Sequence, residues 1–268
     1  MHYNNNKLIY SPSDIVQFVN SQFACWMNRK LIEEPESVQP DEDDPQLKIL
    51  QSKGGLHEKA YLNKLLDAGS DVCEITSGDR LQQTLKAINK ERQIIFQARL
   101  EGTGMAGNAD FLRLEGQKKS TYAIIDTKLS RHVKPHFMIQ LCCYADMLEE
   151  MTGKRSETIG IVLGNGDECC FRTNDVFYYY ERTKAAFFTF MDNFSPDTPP
   201  QPDPSADHGS WSSHAKQILE DMDHLSRVAN ISKKQILKLN AVGVDTMEKL
   251  STSKAIHIRE LMTMSLPD

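Results

Sequence analysis

The chain has 268 residues, of which 40% are apolar and 25% charged, with a formal net charge of −6. This length can bury a substantial core, and no apolar run approaches the roughly 18 residues of a membrane helix. Because residues 1–6 lack the apolar core of a secretory signal, we expect a cytoplasmic protein.

The negative charge is concentrated in one segment. Residues 33–44 hold seven acids and no Lys or Arg, which leaves 31 bases against 30 acids in the rest of the chain. This segment is typical of a solvated loop. A basic cluster lies elsewhere, at Lys118, Lys119, Lys128, Arg131, His132, Lys134 and His136. Its charge favours a phosphate-bearing ligand, although a plain solvated surface explains it more simply.

Apolar periodicity, capping residues and turn residues predict the helices and strands. In the first part, helices are predicted at 13–20, 24–32, 45–66 (with Gly54-Gly55 as an interruption) and 78–89, and strands at 71–75 and 93–100. In the second part, strands are predicted at 107–112, 122–128, 156–162 and 168–172, and helices at 133–151 and 175–194.

A proline-rich stretch separates these elements from a helical tail. Residues 195–204 contain five prolines and mark a joint. Beyond it, short helices at 231–239 and 246–250 are joined by an apolar turn around Gly243. This pattern suits a helix-hairpin-helix, whose turn amides can hold a phosphate, and it suits a small helical bundle without a ligand equally well.

The six cysteines contain no C-x-x-C pair, and four of them form two adjacent pairs. Adjacent cysteines rarely bridge each other, so this spacing indicates reduced, mostly buried thiols and neither a disulfide framework nor a zinc site.

Two neighbouring predicted strands end in charged residues. Asp110 ends the first, and Asp126-Thr127-Lys128 ends the second. Isolated buried charges cost several kcal/mol unless they are paired or bind a metal. Side chains two apart on a strand share a face, so Asp126 and Lys128 project together. A hairpin through residues 116–119 can place Asp110 beside Asp126.

This combination favours metal-dependent phosphate chemistry. Mg²⁺ and Mn²⁺ prefer oxygen ligands such as carboxylates. A lysine beside the metal can orient water and stabilise negative charge in the transition state of phosphodiester hydrolysis. A D-x-K pattern alone is a weak signal. The upstream Asp110 and the amphipathic helix that follows strengthen it.

Four motifs together resemble the RecB-type branch of the PD-(D/E)xK nuclease superfamily. They are His57 on a helix, Asp110 in Gly-Asn-Ala-Asp-Phe, Asp126-Thr127-Lys128, and the segment from Gln140 to Tyr144. The resemblance implies an α/β fold with a restriction-endonuclease-like central mixed sheet flanked by helices. It implies a nuclease domain at 1–215 and a helix-hairpin-helix-like tail at 216–268.

The resemblance also implies roles for individual residues. Metal ligands would be His57, Asp110, Asp126 and the Thr127 carbonyl, with Lys128, Asp126 and Asp110 catalytic. Asp at 126, where Glu is commoner, is a permitted variant. Gln140 and Tyr144 would support the site and contact DNA. Apart from the resemblance, the basic cluster and the apolar turn of the tail make Arg131, Lys134 and Gly243 further candidates for DNA contact or site support.

Many relatives of this type hold an iron–sulfur cluster with four cysteines. The corresponding positions here are Ser21, Ala206, Gly209 and Ala215. None of these residues binds iron, so we expect no iron–sulfur cluster, with packing around Trp211 tying the end of the domain to its beginning.

The sequence therefore predicts a Mg²⁺- or Mn²⁺-dependent deoxyribonuclease acting on single strands or DNA ends, in repair, recombination or defence. A helicase or a further domain, in the same chain or another, is an expected partner, and no membrane is. The alternative is a catalytically silent module that binds nucleic acid or docks a helicase. A hydrolase or transferase of other phosphate compounds is a third possibility.

Overall fold

The computed structural model of the chain describes residues 1–42, 44–116 and 121–253. It begins with a short hairpin that the sequence patterns did not predict, formed by β1 (His2–Asn4) and β2 (Lys7–Ile9). Two helices follow, α1 (Pro12–Asn20) and α2 (Gln22–Glu33). The Ser21 side chain caps α2 by accepting a hydrogen bond from the Ala24 amide.

The centre of the fold is a six-stranded mixed sheet, as expected for an α/β protein. In spatial order its strands are β3 (Val72–Glu74), β4 (Ile94–Gly102), β5 (Met105–Glu115), β6 (Thr121–Lys128), β7 (Thr158–Leu163) and β8 (Glu168–Arg172). The pairs β3–β4 and β6–β7 are parallel, whereas β4–β5, β5–β6 and β7–β8 are antiparallel.

Four further helices flank the sheet: α3 (Pro45–Asp67), α4 (Arg80–Asn89), α5 (Pro135–Thr152) and α6 (Asn174–Asp192). The main core packs α1, α4, α5 and α6 against one face of the sheet. A smaller cluster packs Tyr61 of α3 against Phe96, Phe111 and Ile125 on the other face. The sheet is therefore covered on both sides.

Most predicted bounds differ from the structure by one to three residues, and Asp110, which was predicted to end its strand, lies inside β5. The glycine pair at 54–55 does not break α3, which is continuous over 23 residues. Helix α5 begins at Pro135, two residues later than predicted. Proline fits the first turn of a helix, where its missing N–H has no partner to lose.

The side-chain alternation of β4 and β5 is broken at paired positions of the two strands. Phe96 pairs with Phe111 and both lie in the α3 cluster, whereas Ala98 pairs with Ala109 and both lie in the main core. Residues two apart on a regular strand share a face, so the alternation is broken between them. Gln97, with φ +58°, is the residue of β4 at the break.

The tail contains α7 (Ser212–Asp221), α8 (Lys233–Ala241) and α9 (Met247–Thr252). Leu225, Leu239 and Val244 form an apolar cluster there, separate from the sheet. The predicted domain boundary at 215/216 falls within α7, and the division into two domains stays a prediction. The rest of the predicted tail, 254–268, lies outside the described residues, as do Lys118 and Lys119.

Within the described part of the chain, none of the helices has the length and apolarity needed to span a membrane.

Candidate active site

The strands β5 and β6 separate where their charged residues begin. Their ladder ends at the pair Phe111–Ile125. Beyond it, the Asp110 carboxylate accepts hydrogen bonds from the Thr127 amide at 2.9 Å and from Thr127 Oγ1 at 3.0 Å. The Asp110 side chain thus takes the place of a main-chain acceptor for the Thr127 amide. The regular pairing of β5 with β6 therefore stops where the two acids lie.

Asp126 and Lys128 project from the same face of β6, as the strand period predicted. Their Oδ2 and Nζ atoms lie 2.6 Å apart. Asp126 is only 3% exposed. Lys128 Nζ also donates a hydrogen bond to Gln140 Oε1 of α5 at 3.0 Å. The lysine is therefore fixed from both sides, by the sheet and by the helix that follows it.

The electrostatics of the two carboxylates are unfavourable without a further cation. Burial raises the pKa of Asp126 to about 7, the charge of Asp110 adds to this, and Lys128 opposes it. Burial also raises the pKa of Asp110, against the hydrogen bonds from Thr127 and the charge of Lys128. One ammonium group does not compensate two buried acids.

These acids fit a hard divalent cation in their chemistry. Both supply carboxylate oxygens, the ligand type that Mg²⁺ and Mn²⁺ prefer. Asp126 Oδ2 touches the lysine as an ion pair but has no hydrogen bond in the described part of the chain. A bound cation would offset the burial that raises the pKa of both carboxylates, and the charge of Asp110 that raises the pKa of Asp126 further.

Tyr144 lies one helical turn after Gln140 and is buried. Its ring lies close to β5 because residue 107 is glycine. A Cβ at Gly107 would lie 2.9 Å from Tyr144 Cε1 and 3.0 Å from Pro12 Cδ. Burial raises the Tyr144 pKa strongly, and the negative charges of Asp126 and Asp110 contribute. Tyr144 is thus a neutral phenol beside the carboxylates.

His57 lies above a neighbouring strand. Its Nε2 is 3.3 Å from the carbonyl oxygen of Val162, which pairs with Thr127 in the parallel ladder. Among the described residues, His57 makes no hydrogen bond or ion pair with either aspartate. In the same residues, no three His, Cys, Asp or Glu side chains are grouped closely enough to hold a metal. The ligand roles of His57 and of the Thr127 carbonyl stay predictions.

Sequence reasoning missed Glu58, the neighbour of His57. Its carboxylate accepts a hydrogen bond from Gln97 Nε2. Burial and the charge of Asp110 raise its pKa, and it acts electrostatically on Asp126 as well. A third carboxylate therefore faces the site from α3. The only sequence signal was its adjacency to His57.

The other predicted residues lie around or away from these acids. Arg131 and Lys134 are exposed in the loop between β6 and α5. Burial and the charges of Lys134 and Lys128 lower the pKa of nearby His136. Gly243, with φ +79°, lies in the turn between α8 and α9, next to Val244 of the apolar cluster in the tail.

The four positions that the resemblance matches to cluster cysteines lie at the start of α2 and between residue 206 and α7. Ser21 Oγ is 2.7 Å from His208 Nδ1. Ala215 packs with Trp211 and Phe23 in one apolar cluster. Ala206 lines the same polar cavity as Ser21, with a volume of about 350 Å³. Gly209 begins the 3-10 turn that contains Trp211.

No protein-family model and no curated protein matches the chain. Among solved structures, the chain is similar to the one described as the crystal structure of SSO0001. The two are 15% identical, the match covers 86% of this chain and 90% of that chain, and the TM-score is 0.33. A likeness of this strength carries no argument about function.

Proposed function

We propose that the protein is a Mg²⁺- or Mn²⁺-dependent DNA nuclease of the RecB type, built on a restriction-endonuclease-like sheet. The observation that carries this proposal is the buried Asp126, with Lys128 at 2.6 Å and Asp110 beside it. Keeping two acids in this setting costs stability, and a cation-dependent reaction gives them a use.

Each residue then has a defined task. Asp110 and Asp126 hold the cation through carboxylate oxygens, and the resemblance adds His57 and the Thr127 carbonyl. When bound, the cation polarises the phosphate and makes water more acidic. Lys128 is aimed by Gln140, so its ammonium can orient the attacking water and stabilise charge on the phosphate oxygens.

The test is a cleavage assay on end-labelled single-stranded, double-stranded and circular DNA with Mg²⁺ and Mn²⁺. Asp126→Ala and Lys128→Ala should each lower the rate by about 100-fold or more, the scale of losing a key electrostatic group. Asp175→Ala is a matched control, because this acid is exposed and, among the described residues, pairs only with Arg172.

The control should cleave at the wild-type rate, and all three variants should keep the wild-type circular dichroism spectrum. Wild-type rates in both site variants would show that the site is assigned wrongly. The circular substrate separates internal cleavage from cleavage at ends.

A catalytically silent module that binds nucleic acid or docks a helicase is the second candidate. The observation that favours it is that no three potential ligands are grouped in the described residues. A cation that binds the folded state raises the melting temperature. If Mn²⁺ produces no such rise and no cleavage while DNA still binds, the silent module is the better description.

A further inference from the structure

The strands β4 and β5 present a second polar surface next to Asp110. We call it the β4–β5 polar face and define it by Gln97, Arg99 and Asn108, which are all half-buried. It exists because the two strands change faces at Gln97 and Asp110. Beyond that point Ala98 and its partner Ala109 lie in the main core, so the next pair, Arg99 and Asn108, faces the other side of the sheet.

Arg99 and Asn108 are direct partners across the β4–β5 ladder. Asn108 is two residues from Asp110, about 7 Å along the strand at the usual rise. The surface is therefore continuous with the candidate active site, and one extended ligand can touch both.

The side chains of this face have unused hydrogen-bonding capacity. Arg99 Nε pairs with Glu101 Oε1 at 2.9 Å. The two terminal nitrogens of its guanidinium make no hydrogen bond or ion pair with any other described residue. Asn108 Oδ1 is buried and without a hydrogen bond in that same part of the chain, although an unsatisfied buried acceptor costs about 1–3 kcal/mol.

Gln97 is fixed in an uncommon conformation. Its φ of +58° is rare for a non-glycine residue within a strand. Its carbonyl accepts a hydrogen bond from Arg80 Nη2 at 2.9 Å, and its amide donates to Glu58. Strained residues of this kind persist only where the surroundings hold them, and they concentrate at functional sites.

We propose that the β4–β5 polar face binds the nucleotides next to the scissile phosphate of a single DNA strand. Arg99 contacts a phosphate through its terminal nitrogens, and the Asn108 amide contacts a base edge. Guanidinium groups match phosphate geometry, and carboxamides match base edges. This inference rests on the proposed nuclease function.

The test measures DNA binding without cleavage. In the Lys128→Ala background, fluorescence anisotropy of a labelled single strand is followed over a range of salt concentrations. Adding Arg99→Ala should weaken binding about fivefold and reduce the slope of log K against log salt by about 0.7, the value for one phosphate contact on a single strand. Arg99→Lys should restore the slope. Asn108→Ala should weaken binding with no change in slope.

Arg172→Ala is the matched control, since this arginine is exposed on β8 and its ion pair within the described ranges is with Asp175. The inference is overturned if Arg99→Ala behaves like the control in both affinity and slope. If the wild type cleaves DNA while Arg99→Ala binds normally, only this inference fails. If the Arg99 effect is present but Mn²⁺ supports no cleavage, the nuclease proposal fails and the binding face stands. A parent that binds no DNA overturns this inference, and cleavage by the wild type decides the nuclease proposal separately.

Discussion

At the scale of single residues, Asp126 shows the conflict between stability and the proposed activity most clearly. Its charged form is disfavoured by burial and by Asp110, and Lys128 compensates only in part. A folded-state pKa above the unfolded value means that the native protein binds the proton more tightly. The contribution of this group to stability therefore falls as pH rises from about 4 to about 7.

Asp126→Asn should stabilise the cation-free protein above pH 7, because asparagine keeps an oxygen near Lys128 without the charge. Near pH 4 the variant and the wild type should melt alike, since both side chains are then neutral. At pH 8 the variant should melt a few degrees higher, as about 1 kcal/mol moves the midpoint by about 2–4 °C in a chain of this size.

Thermal melts at both pH values, with and without Mn²⁺, check this. Mn²⁺ should raise the melting temperature of the wild type and leave that of Asp126→Asn unchanged. A wild type that is more stable than the variant at pH 8 without a cation would contradict the raised pKa.

The residues of the site differ in how far sequence could predict them. Asp126 and Lys128 were predictable because a period of two places them on one face, and the structure confirms their pairing. Glu58 and Gln97 were not. Their contact depends on a left-handed residue inside a strand, and no local pattern marks glutamine for that conformation.

At the scale of elements, α3 carries both His57 and Glu58 and contains a glycine pair that packing does not require. A Cβ at Gly54 or at Gly55 would meet no atom within 4 Å. Glycine inside a helix costs about 1 kcal/mol relative to alanine. The continuous helix therefore forms in spite of these residues, through the packing of Tyr61 on the sheet.

Gly54→Ala with Gly55→Ala should raise the free energy of unfolding by about 1–2 kcal/mol, since the helix gains propensity without a clash. Gly164→Ala is the contrasting variant. A Cβ there would lie 2.3 Å from the Leu129 carbonyl oxygen, so it should destabilise the protein. Urea unfolding measures both, and the same sign of change in the two variants would show that the surroundings of α3 differ from those described.

The elements themselves were largely predictable, since long periodic segments such as α5 and α6 and the alternating strands gave clear patterns. Boundaries were less predictable: α5 begins at Pro135, although periodicity extended the predicted helix back to residue 133. The hairpin β1–β2 was missed because its three-residue strands are largely exposed and have no apolar alternation.

At the scale of the whole molecule, the N-terminal helices are joined to the segment after the proline-rich stretch. Trp211 Nε1 donates a hydrogen bond to Asn28 Oδ1 at 2.7 Å. Ser21 Oγ lies 2.7 Å from His208 Nδ1 and also accepts the Ala24 amide. The Trp211–Asn28 and Ser21–His208 contacts join residues 183 and 187 positions apart, so they hold the N-terminal helices to this later segment.

Ser21→Ala should be among the most destabilising single changes outside the core. It removes the N-cap of α2, worth about 1 kcal/mol, and leaves the buried His208 nitrogen unpaired, at about 1–3 kcal/mol more. Ser232→Ala is the matched control, because it removes the exposed cap of α8 and no buried partner. Urea unfolding should show a loss for Ser21→Ala at least twice that of the control. Equal losses would mean that the Ser21–His208 contact contributes no stability. Apolar packing around Trp211 would then hold the N-terminal helices to this segment.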